Sequence, residues 1–130
     1  MYSELVREHY LHPRNVGNLP NPSGTAMVRS PFDSDTVLVT LRIEDNRIAD
    51  VRFKCVGCPV AIASSSIATE MIMGKPVEEA YALSKEDVAA ALGGMPDYKM
   101  LCSNLSPDAI RLAIDDWRSR VAAGAISGGG

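Results

Sequence analysis

No apolar run in the sequence approaches the roughly 20 residues that a membrane-spanning helix requires. The sequence also lacks a basic excess, since 13 Lys and Arg stand against 16 Asp and Glu and give a net charge of −3. Nucleic-acid binding needs a basic face that neutralises phosphates, so we expect neither a membrane nor a nucleic acid as partner. The N-terminal residues mix charged side chains into apolar positions and lack the apolar stretch of a secretory signal, which predicts a cytoplasmic protein.

Aromatic residues and cysteines are both scarce. Only two Phe occur beside six Met in 130 residues, which favours a core of aliphatic side chains. The three cysteines are Cys55, Cys58 and Cys102. An odd count in a reducing compartment argues against a disulfide framework. The thiols are then buried structural groups, a redox pair, or ligands for metal and sulfur chemistry.

The order of the predicted elements gives the fold class. Hydrophobic periodicity predicts one helix, then three strands, then four helices, with Ser84 and Ser106 as N-caps. This order predicts an α+β domain, in which a small antiparallel three-stranded sheet is packed against helices on one face. The domain is expected to cover residues 1–123, before a flexible Gly-rich tail at 124–130. The predicted elements span residues 2–11, 25–30, 36–43, 48–56, 60–73, 77–83, 85–92 and 106–123.

Two cysteines lie at predicted helix starts. Cys58 follows a strand and precedes a helix, and Cys102 lies just ahead of the last helix. Free backbone N–H groups and the helix dipole favour a thiolate at such places. If the two junctions meet at one end of the domain, the thiols form a soft site for Zn, an Fe–S cluster or persulfide sulfur. The alternative is that each is a small buried apolar residue.

A second thiol lies close to Cys58 in the sequence. The segment Cys55-Val56-Gly57-Cys58 is a C-x-x-C motif, and its Gly allows both sulfurs to face one metal or each other. A redox pair would be expected in a βαβ context, which the preceding strands do not supply. Cys55 also keeps phase with Val51 and Phe53 along the strand, so packing in the strand is the interpretation that the pattern favours.

Carboxylates and histidines offer fewer candidates. Asp33 and Asp35 lie in the loop between the first two strands, where Asp is common in solvated turns but is also a hard, exchangeable metal ligand. His9 and His12 have no partner at metal-ligand spacing, and we interpret both as surface residues.

A string of motifs in one register resembles the IscU/NifU scaffold family. The match runs from about residue 2 to residue 118, nearly the whole chain. The segments that carry it are His12-Pro13-Arg14-Asn15-Val16-Gly17, Gly57-Cys58, Ala61-Ile62-Ala63-Ser64-Ser65-Ser66, Leu92-Gly93-Gly94-Met95-Pro96, Cys102-Ser103 and Asp108-Ala109-Ile110.

The resemblance implies a set of ligands. Cys58 takes the position of the family's second Cys, Cys102 that of the third, and Asp35 that of its Asp. The first Cys position holds Asp33, and the His position holds Leu101. The implied donors are therefore Cys58, Cys102, Asp33 and Asp35, with Cys55 as an extra thiol. Tyr2 matches a Tyr that is associated with self-association in the family.

The resemblance also implies a function and partners. It predicts a scaffold, not an enzyme, which receives sulfur from a cysteine desulfurase and binds iron. A labile [2Fe–2S] or [4Fe–4S] cluster is then assembled and passed to Fe–S acceptor proteins, and a homo-oligomer could share it. The segment 95–99 matches part of the Leu-Pro-Pro-Val-Lys element of the family, which makes an Hsp70-type chaperone a further candidate partner. The alternative hypothesis is a protein that builds no cluster, either zinc-binding or a regulator that docks on the desulfurase.

Overall fold

The structure is a computed structural model that describes residues 4–30, 35–93 and 105–124. Its helices and strands follow the predicted order and differ from the predicted bounds by a few residues. They are α1 (Glu4–Leu11), β1 (Gly24–Arg29), β2 (Thr36–Glu44), β3 (Arg47–Val56), α2 (Pro59–Ile72), α3 (Val77–Tyr81), α4 (Lys85–Ala91) and α5 (Leu105–Ala122).

The three strands form an antiparallel meander in the order β1-β2-β3. Asp45 and Asn46 join β2 to β3 with positive φ angles of 53° and 60°, as a tight hairpin turn requires. Alternate residues of β2 are buried, and the register places Val39 opposite Phe53 and Val37 opposite Cys55. One face of the sheet therefore enters the core, and the predicted α+β class is confirmed.

Two helices cover that buried face. Helix α5 packs on β1 and β2, and α2 packs on β3. The helix α5 approaches β1 most closely at Gly24, where an added Cβ would lie 2.1 Å from the carbonyl oxygen of Ala113. The absence of a side chain at residue 24 thus sets how close α5 lies to the sheet.

The outer edge of β3 is occupied at two points. The Gly17 N–H donates to the Phe53 carbonyl and the Phe53 N–H donates to the Asn15 carbonyl, both at 2.9 Å. Further along, Ile48 exchanges backbone hydrogen bonds with Gly74 and Lys75. These contacts protect the edge from pairing with another strand and fix the segment after α1 against β3.

Of the two N-caps predicted from the sequence, one is confirmed and one is wrong. Ser84 caps α4 as predicted, and with Asp87 it forms a reciprocal capping box. Ser106 was wrong as an N-cap, because α5 already includes Leu105 and Ser106 is only 1% exposed inside the helix. Pro107 is accommodated because the first turn of a helix does not need its N–H. Within the described residues, no helix is long and apolar enough to cross a bilayer.

Candidate functional site

Cys58 lies in the short junction between a strand and a helix. Strand β3 ends at Val56 and α2 begins at Pro59, so only Gly57 and Cys58 connect them. Cys58 is the N-cap residue of α2, with extended backbone angles of φ −72° and ψ 164°, and its side chain does not cap the helix. Pro59 has the fixed φ that suits the first helical position. The junction therefore presents a half-buried thiol at the positive end of the α2 dipole.

The carboxylate of Asp35 lies against this junction. The Cys58 N–H donates to Asp35 Oδ2 at 3.3 Å. The carboxylate also lies over the Cα of Gly57, where an added Cβ would be 2.7 Å from Asp35 Cγ and 2.9 Å from Oδ1. The Ser30 N–H donates to the Asp35 carbonyl at 2.8 Å, which fixes the backbone at the end of the β1–β2 connection. The structure thus brings together two of the predicted site residues, Asp35 and Cys58.

Cys55 lies close by but faces the core. It is half-buried and packs against the buried hydrophobic cluster, on the same side of β3 as Phe53. Burial of the thiol, and then the negative charge of Asp35, raise the pKa of Cys55 to about 12, against a smaller opposing effect of the Ser65 hydroxyl. A metal ligand must give up its thiol proton. The protonated state therefore favours strand packing for Cys55, and its role as a ligand stays a prediction.

The remaining predicted donors lie outside the described residues. This applies to Asp33 and Cys102, and equally to Leu101 and Tyr2. Across residues 4–30, 35–93 and 105–124, no group of three or more His, Cys, Asp or Glu side chains is arranged to hold a metal ion. The pair of Asp35 and Cys58 is therefore the described part of the candidate site, and the approach of Cys102 to Cys58 stays a prediction.

His9 was wrong as a surface residue. It is 4% exposed, and its Nδ1 lies 2.7 Å from the Oγ of Ser66 on α2. The same Oγ accepts the Arg14 N–H at 2.9 Å, and His9 Nε2 lies 3.5 Å from Glu70. A serine hydroxyl has one proton and two acceptor lone pairs, so beside the Arg14 N–H it either donates to Nδ1 or accepts from it, according to which nitrogen of the ring carries the proton. His12 is exposed as predicted.

These contacts join α1 to α2 through a polar seam, which comprises His9, Arg14, Asn15, Ser66 and Thr69. Asn15 donates to Thr69 Oγ1 at 3.0 Å, and Thr69 Oγ1 donates to the Ser66 carbonyl. The seam fixes the helix that carries Cys58 at its start. One signal of it was available in the sequence, because His9 follows the buried Val6 by three residues and shares its helix face.

Comparison with known proteins first defines the class. The fold is that of the N-terminal domain of a nitrogen-fixing NifU-like protein from Brucella abortus, with a TM-score of 0.77 over 91% of this chain and 94% of that chain. The two sequences are 21% identical, so this likeness concerns the fold alone.

Closer relatives are found by sequence. An iron–sulfur cluster assembly scaffold protein, IscU 1 of Archaeoglobus fulgidus, is 47% identical over 117 residues, which are 90% of this chain and 76% of the relative. The scaffold protein IscU of Escherichia coli is 43% identical over 123 residues, 92% of this chain and 95% of the relative. The model of the NifU-like N-terminal domain matches residues 1–123, and the chain belongs to this family. The predicted resemblance is confirmed.

Proposed function

We propose that this protein is an iron–sulfur cluster assembly scaffold. The observation that carries the proposal is the contact between the Asp35 carboxylate and the Cys58 backbone, at the start of a helix. Membership of the NifU-like family and the identity to proteins named as IscU scaffolds support it. The protein acts as a carrier and not as a catalyst, and it works in the cytoplasm.

The chemistry of Cys58 and Asp35, the two donors among the described residues, suits a cluster that must be released to another protein. The Cys58 thiolate is a soft ligand for the iron of a sulfide cluster, and it lies at the start of α2. The Asp35 carboxylate is a harder donor, which binds iron in a sulfide cluster less firmly than a thiolate does. The Cys58 N–H also competes with iron for this carboxylate. A site of this composition binds iron while keeping one ligand that exchanges readily.

Further donors complete the proposed site. Two donors are too few for an iron–sulfur cluster, and we assign Cys102 as the second thiolate and Asp33 as a second oxygen ligand. Cys55 is an additional candidate ligand, and its thiol must lose its proton before it can bind metal. The cargo is a labile [2Fe–2S] or [4Fe–4S] cluster, and zinc is the competing metal for the same donors, although it usually prefers more sulfur or imidazole.

The proposed partners follow from this role. A cysteine desulfurase supplies sulfur, and Fe–S acceptor proteins receive the cluster. We also propose two further partners. One is an Hsp70-type chaperone that recognises segment 95–99, and the other is a second copy of the chain that shares a cluster. Pull-down with each purified partner tests them separately from the metal chemistry.

The direct test is anaerobic reconstitution with iron and sulfide, followed by visible absorption. We expect charge-transfer bands that are lost in Cys58→Ser and in Cys102→Ser and retained in Ser119→Ala, an exposed position on α5. Colourless protein with stoichiometric zinc would support a zinc-binding protein instead. Colourless protein without metal, together with tight binding to a desulfurase, would support a regulator.

A further inference from the structure

Gly57 is the residue next to Cys58, and the proposed function assigns it no role. An added Cβ at this position would lie 2.7, 2.9 and 3.0 Å from Cγ, Oδ1 and Oδ2 of Asp35. Contacts below 3.0 Å between a Cβ and another heavy atom essentially do not occur, so any side chain at residue 57 must move the carboxylate. All three atoms of the carboxyl group are close to the same point, which means that the group lies over the Gly57 Cα.

The backbone of Gly57 does not explain the glycine. Gly17, Gly74, Gly93 and Gly124 have positive φ angles, in the range that favours glycine, and Gly57 is not among them. Alanine at residue 57 is therefore compatible with the backbone, and the obstacle to it is the Asp35 side chain.

The position of the carboxylate has a consequence for Cys58. Its Oδ2 accepts the Cys58 N–H at 3.3 Å while the group rests on the neighbouring Cα. The backbone of Asp35 is fixed separately by the Ser30 N–H. With its backbone fixed there, the carboxylate reaches the Cys58 N–H across the space that Gly57 leaves open.

We propose that Gly57 is a positioning residue, whose missing side chain holds the Asp35 carboxylate beside Cys58 so that the two act on one iron ion. This inference rests on the proposed function for the role of iron, although the placement of the carboxylate does not. Gly57 itself touches no cargo and acts through Asp35.

The first measurement uses the protein without added metal. A hydrogen bond to a carboxylate moves an amide proton downfield, so the Cys58 amide signal in a ¹⁵N–¹H NMR spectrum reports the contact. We expect an upfield shift in Gly57→Ala and in Asp35→Ala, and no further shift in the double variant. Val56→Ala, which truncates the adjacent 75% exposed side chain, is the matched control and leaves the signal in place. An unchanged signal in Gly57→Ala overturns the inference.

The second measurement is the affinity for Fe²⁺ under anaerobic conditions, determined by titration calorimetry. Displacing a group that orients a ligand weakens metal binding by about 10- to 100-fold, and we expect a loss of this size in Gly57→Ala. The double variant should bind as Asp35→Ala does, within a factor of about two, because both changes remove the same contact. The inference is contradicted if the losses of Fe²⁺ affinity multiply in the double variant. It is also contradicted if Gly57→Ala binds Fe²⁺ with the affinity of the wild type.

The two failures remain distinguishable. If the wild type binds no Fe²⁺ in a manner that depends on Cys58, the proposed function fails, and the amide signal still decides the position of the carboxylate. If Gly57→Ala does not fold, the collision with Asp35 predicts that Asp35→Ala/Gly57→Ala folds with the thermal midpoint of Asp35→Ala. A double variant that also fails to fold shows that the obstacle is not Asp35 and overturns the inference.

Discussion

Cys55 and Cys58 are three residues apart, yet they lie in different surroundings. Cys55 belongs to β3 and packs against the core beside Ser65 on α2, whereas Cys58 begins α2 and is bonded through its backbone to Asp35. The C-x-x-C spacing therefore does not put the two thiols in equivalent surroundings. Both thiols are half-buried, but a strand residue and an N-cap residue have different neighbours, and the surroundings of a thiol set its chemistry.

The alkylation rate of Cys55 tests this difference. Raising the pKa of Cys55 from 9.0 to about 12 lowers its thiolate fraction near neutral pH about 1,000-fold, and the thiolate is the reactive form. We expect Cys55 to react with iodoacetamide at about pH 8 about 1,000-fold more slowly in the folded protein than in urea. Peptide-resolved mass spectrometry gives the rate for each cysteine, and equal rates in the folded and unfolded chain would refute the protonated, half-buried thiol.

His9 makes folding sensitive to pH. Burial, and then the charge of Arg14, lower the pKa of His9 from 6.5, against smaller effects of Glu70 and Glu8. At a pH just below 6.5, His9 is protonated in the unfolded chain but still neutral in the folded chain. The free energy of unfolding therefore falls as the pH drops below about 6.5. One proton gives a slope of at most about 1.4 kcal/mol per pH unit.

Urea unfolding at several pH values measures this slope. We expect His9→Gln to reduce it and His12→Gln, at an exposed position, to leave it unchanged. The same slope in wild type and His9→Gln would show that other groups cause the pH dependence.

At the scale of elements, alternation identified the strands and periodicity identified the helices. Residues of β2 and β3 mostly alternate between core and outside because α2 and α5 pack on one face of the sheet, and this pattern is visible in the sequence. The partners of polar residues were not visible. His9 and Ser66 are 57 residues apart, and Asp35 and Cys58 are 23 apart, so their contacts depend on how the elements pack.

The close approach of α5 to the sheet gives a prediction at this scale. In Gly24→Ala the new methyl would overlap the Ala113 carbonyl, and overpacking of this kind costs about 1–3 kcal/mol. Met27→Ala, on the same strand but at a side chain that is 68% exposed, should change stability by no more than about 0.5 kcal/mol. Urea unfolding measures both variants. Equal stability of Gly24→Ala and the wild type would contradict the close contact.

For the whole molecule, the sequence was sufficient for the fold class and the family, because both depend on patterns and motifs that run through nearly the entire chain. The candidate site could be predicted only as a set of residues. Which of them meet depends on the packing of the connections around Cys58, and the described residues establish this for Asp35 alone. The role of Gly57 could not be predicted from the sequence, because a tight turn is a sufficient reason for a glycine before a cysteine. The closeness of Asp35 to this glycine is known only from the structure.

The proposed function requires that iron be held by sulfur from Cys58 and Cys102, with Asp35 beside them. The most direct measurement is iron K-edge X-ray absorption of the anaerobically reconstituted protein, compared with Cys58→Ser, Cys102→Ser and the control Val56→Ala. We expect iron with mainly sulfur neighbours and a second iron nearby, fewer sulfur neighbours in both cysteine variants, and no change in the control. Iron bound through oxygen and nitrogen alone, or an iron environment unaffected by the loss of Cys58, would contradict it.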